Sequence, residues 1–163
     1  MTPYLIWKTA HVLSAALLFG TGLGIAFFAW FGYRSALRHH DIGSLRTVLR
    51  LTVIADAAIT APAVVFQIAS GLVLMRINAW PMISPWSIAV FVLIGITGAC
   101  WLPVVRLQSR LYLEARQVDA VRQLSDRFHR RFRRWCQLGL PAFLAVLVLY
   151  GLMVVKPLPV TPL

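Results

Sequence analysis

The chain has 163 residues, of which 60% are hydrophobic and 13% are charged, and its mean hydropathy is +0.77. This composition is too apolar for one water-soluble core, and four stretches reach the roughly 20 residues that cross a bilayer as a helix. The net charge of +11 does not indicate a nucleic-acid partner, because the basic residues are concentrated beside these stretches. We therefore predict one membrane domain covering residues 1–163, with no nucleic-acid partner.

The apolar stretches cover about residues 4–33, 51–75, 86–107 and 135–155, and residues 106–134 keep helical spacing as an extension of the last two. Thirteen of the sixteen basic residues lie between the first two stretches, or at or between the facing ends of the last two. Excess arginine and lysine mark cytoplasmic loops. We predict an all-α membrane protein, an antiparallel bundle of four transmembrane helices with two basic cytoplasmic loops. Both termini would be periplasmic or extracellular, in a bacterial inner membrane.

The first stretch carries small residues at four-residue spacing, namely Ala16, Gly20 and Gly24. Such a ridge allows another helix backbone to approach closely. The ridge could pack against another helix of the same chain or against a second copy of the chain in a homo-oligomer. At the opposite end of the molecule, the basic face is expected to attract anionic lipid headgroups, at about 1 kcal/mol per basic residue near the surface.

The second stretch places its polar side chains on one helical face: Thr52, Asp56, Thr60, Gln67 and Ser70. Lipid cannot satisfy such groups, so this face is predicted to turn into the bundle. Pro62 interrupts the same stretch and is predicted to distort the helix, because proline has no backbone N–H.

Three polar residues fall at similar depths in the outer half of the membrane: His11, Gln67 and Tyr150. An ionisable residue inside a membrane suggests a function. His11 is a candidate haem ligand or proton-transfer group, since a neutral imidazole serves in both roles. The alternative is a structural histidine that is hydrogen-bonded to Gln67, Tyr150 or a backbone carbonyl.

Other polar residues give weaker indications. Lys8, one turn from His11, is expected to extend toward the headgroups. Asp56 suits a proton relay or a substrate contact; the alternative is a structural pair with Arg106, Arg50 or a hydroxyl. The sequence His39-His40-Asp41 is interpreted as a solvated loop rather than a metal site. No nucleotide-binding loop, catalytic triad or pair of carboxylates supports a hydrolase or a kinase.

Several motifs resemble known sequences. Residues 7–12 (WKTAHV), 18–22 (LFGTG), 60–65 (TAPAVV), 98–105 (GACWLPVV) and 139–143 (GLPAF) resemble bacterial integral membrane proteins of domain-of-unknown-function family 2269. This resemblance covers nearly the whole chain. It implies a membrane topology but no activity, because the family has none assigned.

A more distant resemblance starts from Lys8-x-x-His11-Val12. This opening is similar to that of haem-containing bacterial protoporphyrinogen oxidases and of copper-resistance membrane domains, which implies that His11 ligates haem b. The third-helix lysine of those oxidases has no counterpart near residues 86–90. A second axial ligand would then be Met75, Met153 or His11 of a second subunit, or the iron would be five-coordinate.

Two functional interpretations follow. The first is a small b-type haem redox protein in which His11 binds the iron and Gln67 and Tyr150 support it; no cofactor other than haem is expected. The second is a non-catalytic assembly or interaction subunit, or a component of a small-molecule transport system.

Overall fold

The computed structural model describes residues 2–155, and all regular structure in this range is helical. The long helices are α1 (Pro3–His39), α2 (Ile42–Ala55), α3 (Ala61–Ile77), α4 (Pro85–Arg116) and α5 (Asp126–Val154). A π-helical turn, Asp56–Thr60, joins α2 to α3 without a break, and a short 3-10 helix, Val121–Gln123, lies between α4 and α5. Four segments are long and apolar enough to cross a membrane: α1, α2 continued by α3, α4 and α5. The predicted all-α class and the four apolar helices are confirmed.

The helices extend well beyond the predicted apolar stretches. Helix α1 continues to His39, and α2 begins only three residues later, so most of the predicted first loop is helical. His40 adopts the left-handed conformation (φ 55°), which ends α1. Asp41 caps α2 by accepting a hydrogen bond from the Ser44 backbone N–H at 3.0 Å. The sequence His39-His40-Asp41 thus forms a tight, capped turn, and all three of its residues are exposed, as expected for a solvated connection.

Pro62 follows directly on the π-helical turn. In this turn the Ala61 N–H donates to the Asp56 carbonyl, five residues back, so the backbone is wider than an α-helix. Pro62, in the first turn of α3, has no N–H to donate, so it cannot pair with a carbonyl of the preceding π-helical turn. The predicted distortion of the second stretch therefore takes the form of a π-helical turn.

The best-packed part of the molecule lies where the ends of α1 and α4 meet the beginnings of α2 and α5; we call this the arginine-rich end. Its buried cluster includes Leu45, Leu49, Leu111, Ala115, Phe128, Phe132 and Trp135. At the other end few side chains are buried, among them Ala63, Ser70, Ser87 and Val90. This asymmetry has a physical cause, because water drives apolar side chains together and lipid does not.

The long helices pack against one another in a few pairs. Helix α1 packs on α2 and α3, α4 packs along α5, and α2 packs on α4. Within residues 2–155, a Cβ atom added at Gly20 or Gly24 would have no neighbour within 4 Å, so these two glycines make no close helix contact there. The homo-oligomer stays a prediction.

Candidate functional site

His11 on α1 is held by two side chains of α3. Its Nδ1 lies 2.7 Å from the Ser70 hydroxyl oxygen, and its Nε2 lies 2.9 Å from the Gln67 side-chain nitrogen. An amide nitrogen can only donate, so Nε2 accepts, and the ring proton on Nδ1 is directed at Ser70. The Ser70 hydroxyl in turn donates to the Phe66 carbonyl at 2.7 Å. The result is a chain of hydrogen bonds around a neutral imidazole.

Small residues let the imidazole approach α3 closely. A Cβ atom added at Gly71 would lie 3.4 Å from Cε1 of His11. One turn further along α1, the Ser14 hydroxyl donates to the Ala63 carbonyl at 3.4 Å. Ser70 is fully buried, and His11 is half-buried. These contacts join α1 to α3 at the end of the molecule with the sparser core.

In this arrangement both ring nitrogens of His11 are already paired with side chains of α3. A histidine that binds iron uses the lone pair of one ring nitrogen, while its other nitrogen donates to a protein group. In His11 the lone pair of Nε2 already accepts a hydrogen bond from Gln67. The imidazole is therefore available to a metal only if the Gln67 amide turns away.

Of the three residues that sequence analysis grouped, the structure joins two. Gln67 bonds to His11, whereas Tyr150 packs against Phe19 with ring centres 5.5 Å apart. The buried Tyr150 hydroxyl and the Gln67 side-chain oxygen have no hydrogen-bond partner within residues 2–155. Ser70 was missed as a partner of His11, although its position three residues after Gln67 places it on the same face of α3.

Lys8 lies apart from this site. Its side chain is exposed, and Nζ lies 5.5 Å from the centre of the Tyr4 ring, which is a cation–π distance. Thr60 is buried in the π-helical turn, and its hydroxyl has no hydrogen-bond partner in the described part of the chain. Neither residue contributes a polar contact to His11.

A second buried polar group lies toward the arginine-rich end. The Gln108 side chain of α4, only 1% exposed, donates to the Asp56 carboxylate, and its oxygen accepts from the Trp135 indole at 3.2 Å. The partners expected for Asp56, namely Arg106, Arg50 or a hydroxyl, are thus wrong, and a neutral amide occupies their place. The spacing of Gln108 with Val104, Leu111 and Ala115 marks it as a core position and is the signal that sequence analysis missed.

The predicted inward orientation of the polar face is confirmed for four of its members. Thr52, Asp56, Thr60 and Ser70 are all less than 9% exposed. Within residues 2–155, no group of three or more histidine, cysteine or acidic side chains is arranged to hold a metal ion. Asp56 and Ser70 of this face are hydrogen-bonded to side chains of neighbouring helices, whereas the Thr60 hydroxyl has no partner in these residues.

Comparison with known proteins identifies one family. Residues 5–157 match the family described as "Predicted integral membrane protein (DUF2269)", which covers nearly the whole chain. No curated protein and no solved structure matches the chain significantly.

Proposed function

Because the chain belongs to the DUF2269 family of predicted integral membrane proteins, we propose that it is a non-catalytic membrane component, an assembly or interaction subunit. One observation carries this proposal. Both ring nitrogens of His11 are hydrogen-bonded to α3, at 2.7 and 2.9 Å, so the imidazole links two helices. A partly buried imidazole with both ring nitrogens hydrogen-bonded to one neighbouring helix favours a defined packing of the two helices.

The open ridge of α1 supports a role in association. Ala16 and Gly20 are exposed, and no atom of the described part of the chain lies within 4 Å of a Cβ added at Gly20 or Gly24. Small residues on a lipid-facing surface allow a second membrane helix to approach closely. A second copy of this chain is the partner we propose for it.

The competing proposal is a b-type haem protein with His11 as ligand. It draws support from the buried Gln67 oxygen and Tyr150 hydroxyl, which have no hydrogen-bond partner in the described range, whereas most buried polar atoms have one. It requires the Gln67 amide to leave Nε2. The other ligand would be Met75, Met153 or His11 of a second subunit, or the iron would be five-coordinate.

An absorption spectrum separates the two proposals. Protein purified in detergent from haem-replete cells is expected to be colourless. His11→Ala should lower the unfolding free energy by about 1 kcal/mol, since hydrogen bonds between membrane helices average about 0.6 kcal/mol each. The control, Val12→Ala, changes a side chain that is 57% exposed and should have a smaller effect. A Soret band that disappears in His11→Ala, with helix content intact, would establish the haem protein instead.

The proposed topology rests on the distribution of charge. We place the arginine-rich end in the cytoplasm of a bacterial inner membrane and both termini on the periplasmic side, with the four apolar helices alternating in direction. The test uses cysteine labelling in a chain whose Cys100 and Cys136 are replaced by alanine. A membrane-impermeant reagent should label Thr161→Cys on intact cells and spare Ser44→Cys. Labelling of Ser44→Cys alone would show that the topology is the reverse of the proposed one.

A further inference from the structure

Five arginines and a leucine line a shallow cavity of about 250 Å³ between α4 and α5. Helix α5 contributes Arg127, Arg130, Arg131 and Arg134, whose spacing of three, one and three residues places them on one face. Helix α4 contributes Leu107 and Arg110, also one turn apart. We call this cavity the arginine groove. It lies beside the buried cluster that contains Phe128 and Phe132.

The groove carries much more positive charge than its acidic neighbours offset. Glu114 pairs with Arg131, and both side chains are partly buried. Arg110, Arg127, Arg130 and Arg134 form no ion pair with any carboxylate within residues 2–155. These four guanidinium groups repel one another, and an anion between them would relieve that repulsion.

The start of α5 adds to this repulsion. Helix α5 begins at Asp126, so Arg127 lies in its first turn. The helix dipole makes this end partly positive, which favours anions and disfavours cations, and the effect is confined to about the first turn. An anion bound near Arg127 would therefore be stabilised by the helix end as well as by the arginines.

The level of the groove identifies the source of that anion. Leu107 is the last residue of the third apolar stretch, and Arg134 directly precedes the fourth, which begins at Trp135. The groove thus lies where hydrocarbon gives way to headgroups, and phospholipid phosphates are concentrated at this level. Arginine binds phosphate oxygens in a bidentate manner, and basic pockets between membrane helices bind lipid headgroups.

We propose that the arginine groove binds the phosphate groups of an anionic phospholipid. The unpaired guanidinium groups bind the phosphate oxygens, while Leu107 contacts the start of the acyl chains. Four unpaired arginines exceed the single charge of a phosphatidylglycerol headgroup. The groove therefore favours a lipid that carries two phosphates, such as cardiolipin, over phosphatidylglycerol, and both over zwitterionic phosphatidylcholine.

The test measures lipid retention by the full-length protein in detergent, by native mass spectrometry with titrated cardiolipin, phosphatidylglycerol or phosphatidylcholine. The groove variant is Arg110→Gln with Arg130→Gln. The matched control is Arg38→Gln with Arg50→Gln, which removes the same charge from exposed positions of α1 and α2 at the same end. We expect the groove variant to weaken cardiolipin binding at least tenfold and the control to weaken it less than twofold. Circular dichroism verifies that both variants keep their helix content.

Three outcomes would overturn the proposal. Equal losses in the two variants would mean that the basic end attracts lipid only diffusely. Displacement of cardiolipin by millimolar inorganic phosphate, with equal thermal stabilisation by phosphate alone, would identify a free-phosphate site. Preferential retention of a polyglutamate peptide would indicate a docking surface for an acidic protein. The result is independent of His11, which lies at the other end of the molecule, so failure here leaves the proposed function untouched.

Discussion

The side-chain amide of Gln108 donates a hydrogen bond to the Asp56 carboxylate, and this contact fixes α4 against the π-helical turn. The same side chain accepts a hydrogen bond from Trp135 of α5, so a single glutamine links three helical segments. All three residues are less than 9% exposed. A buried carboxyl group depends on its side-chain partner, because a buried polar group that loses its hydrogen bond is costly.

Gln108→Leu should therefore destabilise the protein by about 1–3 kcal/mol, the cost of leaving buried polar groups without partners. The measurement is the midpoint of chemical unfolding in detergent, followed by tryptophan fluorescence. Ser109→Ala is the matched control, because the Ser109 hydroxyl bonds only to the Val105 carbonyl of its own helix. Equal stability of the two variants would show that the Gln108 contacts contribute nothing.

A close approach between α1 and α2 gives a second prediction. A Cβ atom at Gly32 would lie 2.8 Å and 3.0 Å from the two γ-carbons of Val48, a β-branched side chain with little rotational freedom. Gly32→Ala should therefore lower the thermal midpoint, because the two helices must separate slightly. Gly22→Ala, on the same helix but off the ridge of Ala16, Gly20 and Gly24, adds the same methyl group where no described atom lies within 4 Å, and should leave the midpoint unchanged or raise it. A larger loss in Gly22→Ala would contradict the packing of this helix pair.

Arg46 gives a third prediction, at the end of α4. Its Nε donates to the Ala115 carbonyl at 2.8 Å, and a second guanidinium nitrogen donates to the Val118 carbonyl. A lysine cannot donate to both carbonyls with the planar, forked geometry of a guanidinium group. Arg46→Lys should speed amide hydrogen exchange several-fold in residues 113–120. The exposed Arg50 serves as control, and Arg50→Lys should leave this segment unchanged; equal exchange in the two variants would argue against the contact.

The turn between α1 and α2 should depend on pH. Hydrogen bonds from Ser44 lower the pKa of the Asp41 carboxyl from its ordinary value of 3.8. A depressed pKa means that the ionised group stabilises the fold above the ordinary pKa, and that this stabilisation is lost as pH falls through the folded value. Amide exchange at the start of α2 should therefore rise below pH 3.8, relative to an Asp41→Asn variant that caps without titrating. Identical pH profiles for the two proteins would rule out this role for the carboxylate.

Periodicity and hydrophobicity were sufficient to predict the helices and the orientation of their polar faces. They predicted the all-α class, the four apolar helices and the inward face of Thr52, Asp56, Thr60 and Ser70, because hydrocarbon leaves polar groups no alternative to the interior. The contact of His11 with Gln67 was already among the alternatives, since both residues lie at similar depths. These results depend only on the local pattern of each helix.

Tertiary structure alone decided which polar groups meet. Ser70 rather than Tyr150 completes the pairing of His11, and Gln108 rather than an arginine holds Asp56. The sequence places each residue at a depth and on a face, but the rotation of one helix against another depends on how all their side chains fit together. Small residues such as Gly71 and Gly32 allow two helices to approach more closely than the spacing of residues in the sequence reveals. The distances between the helices in turn determine which hydrogen bonds form.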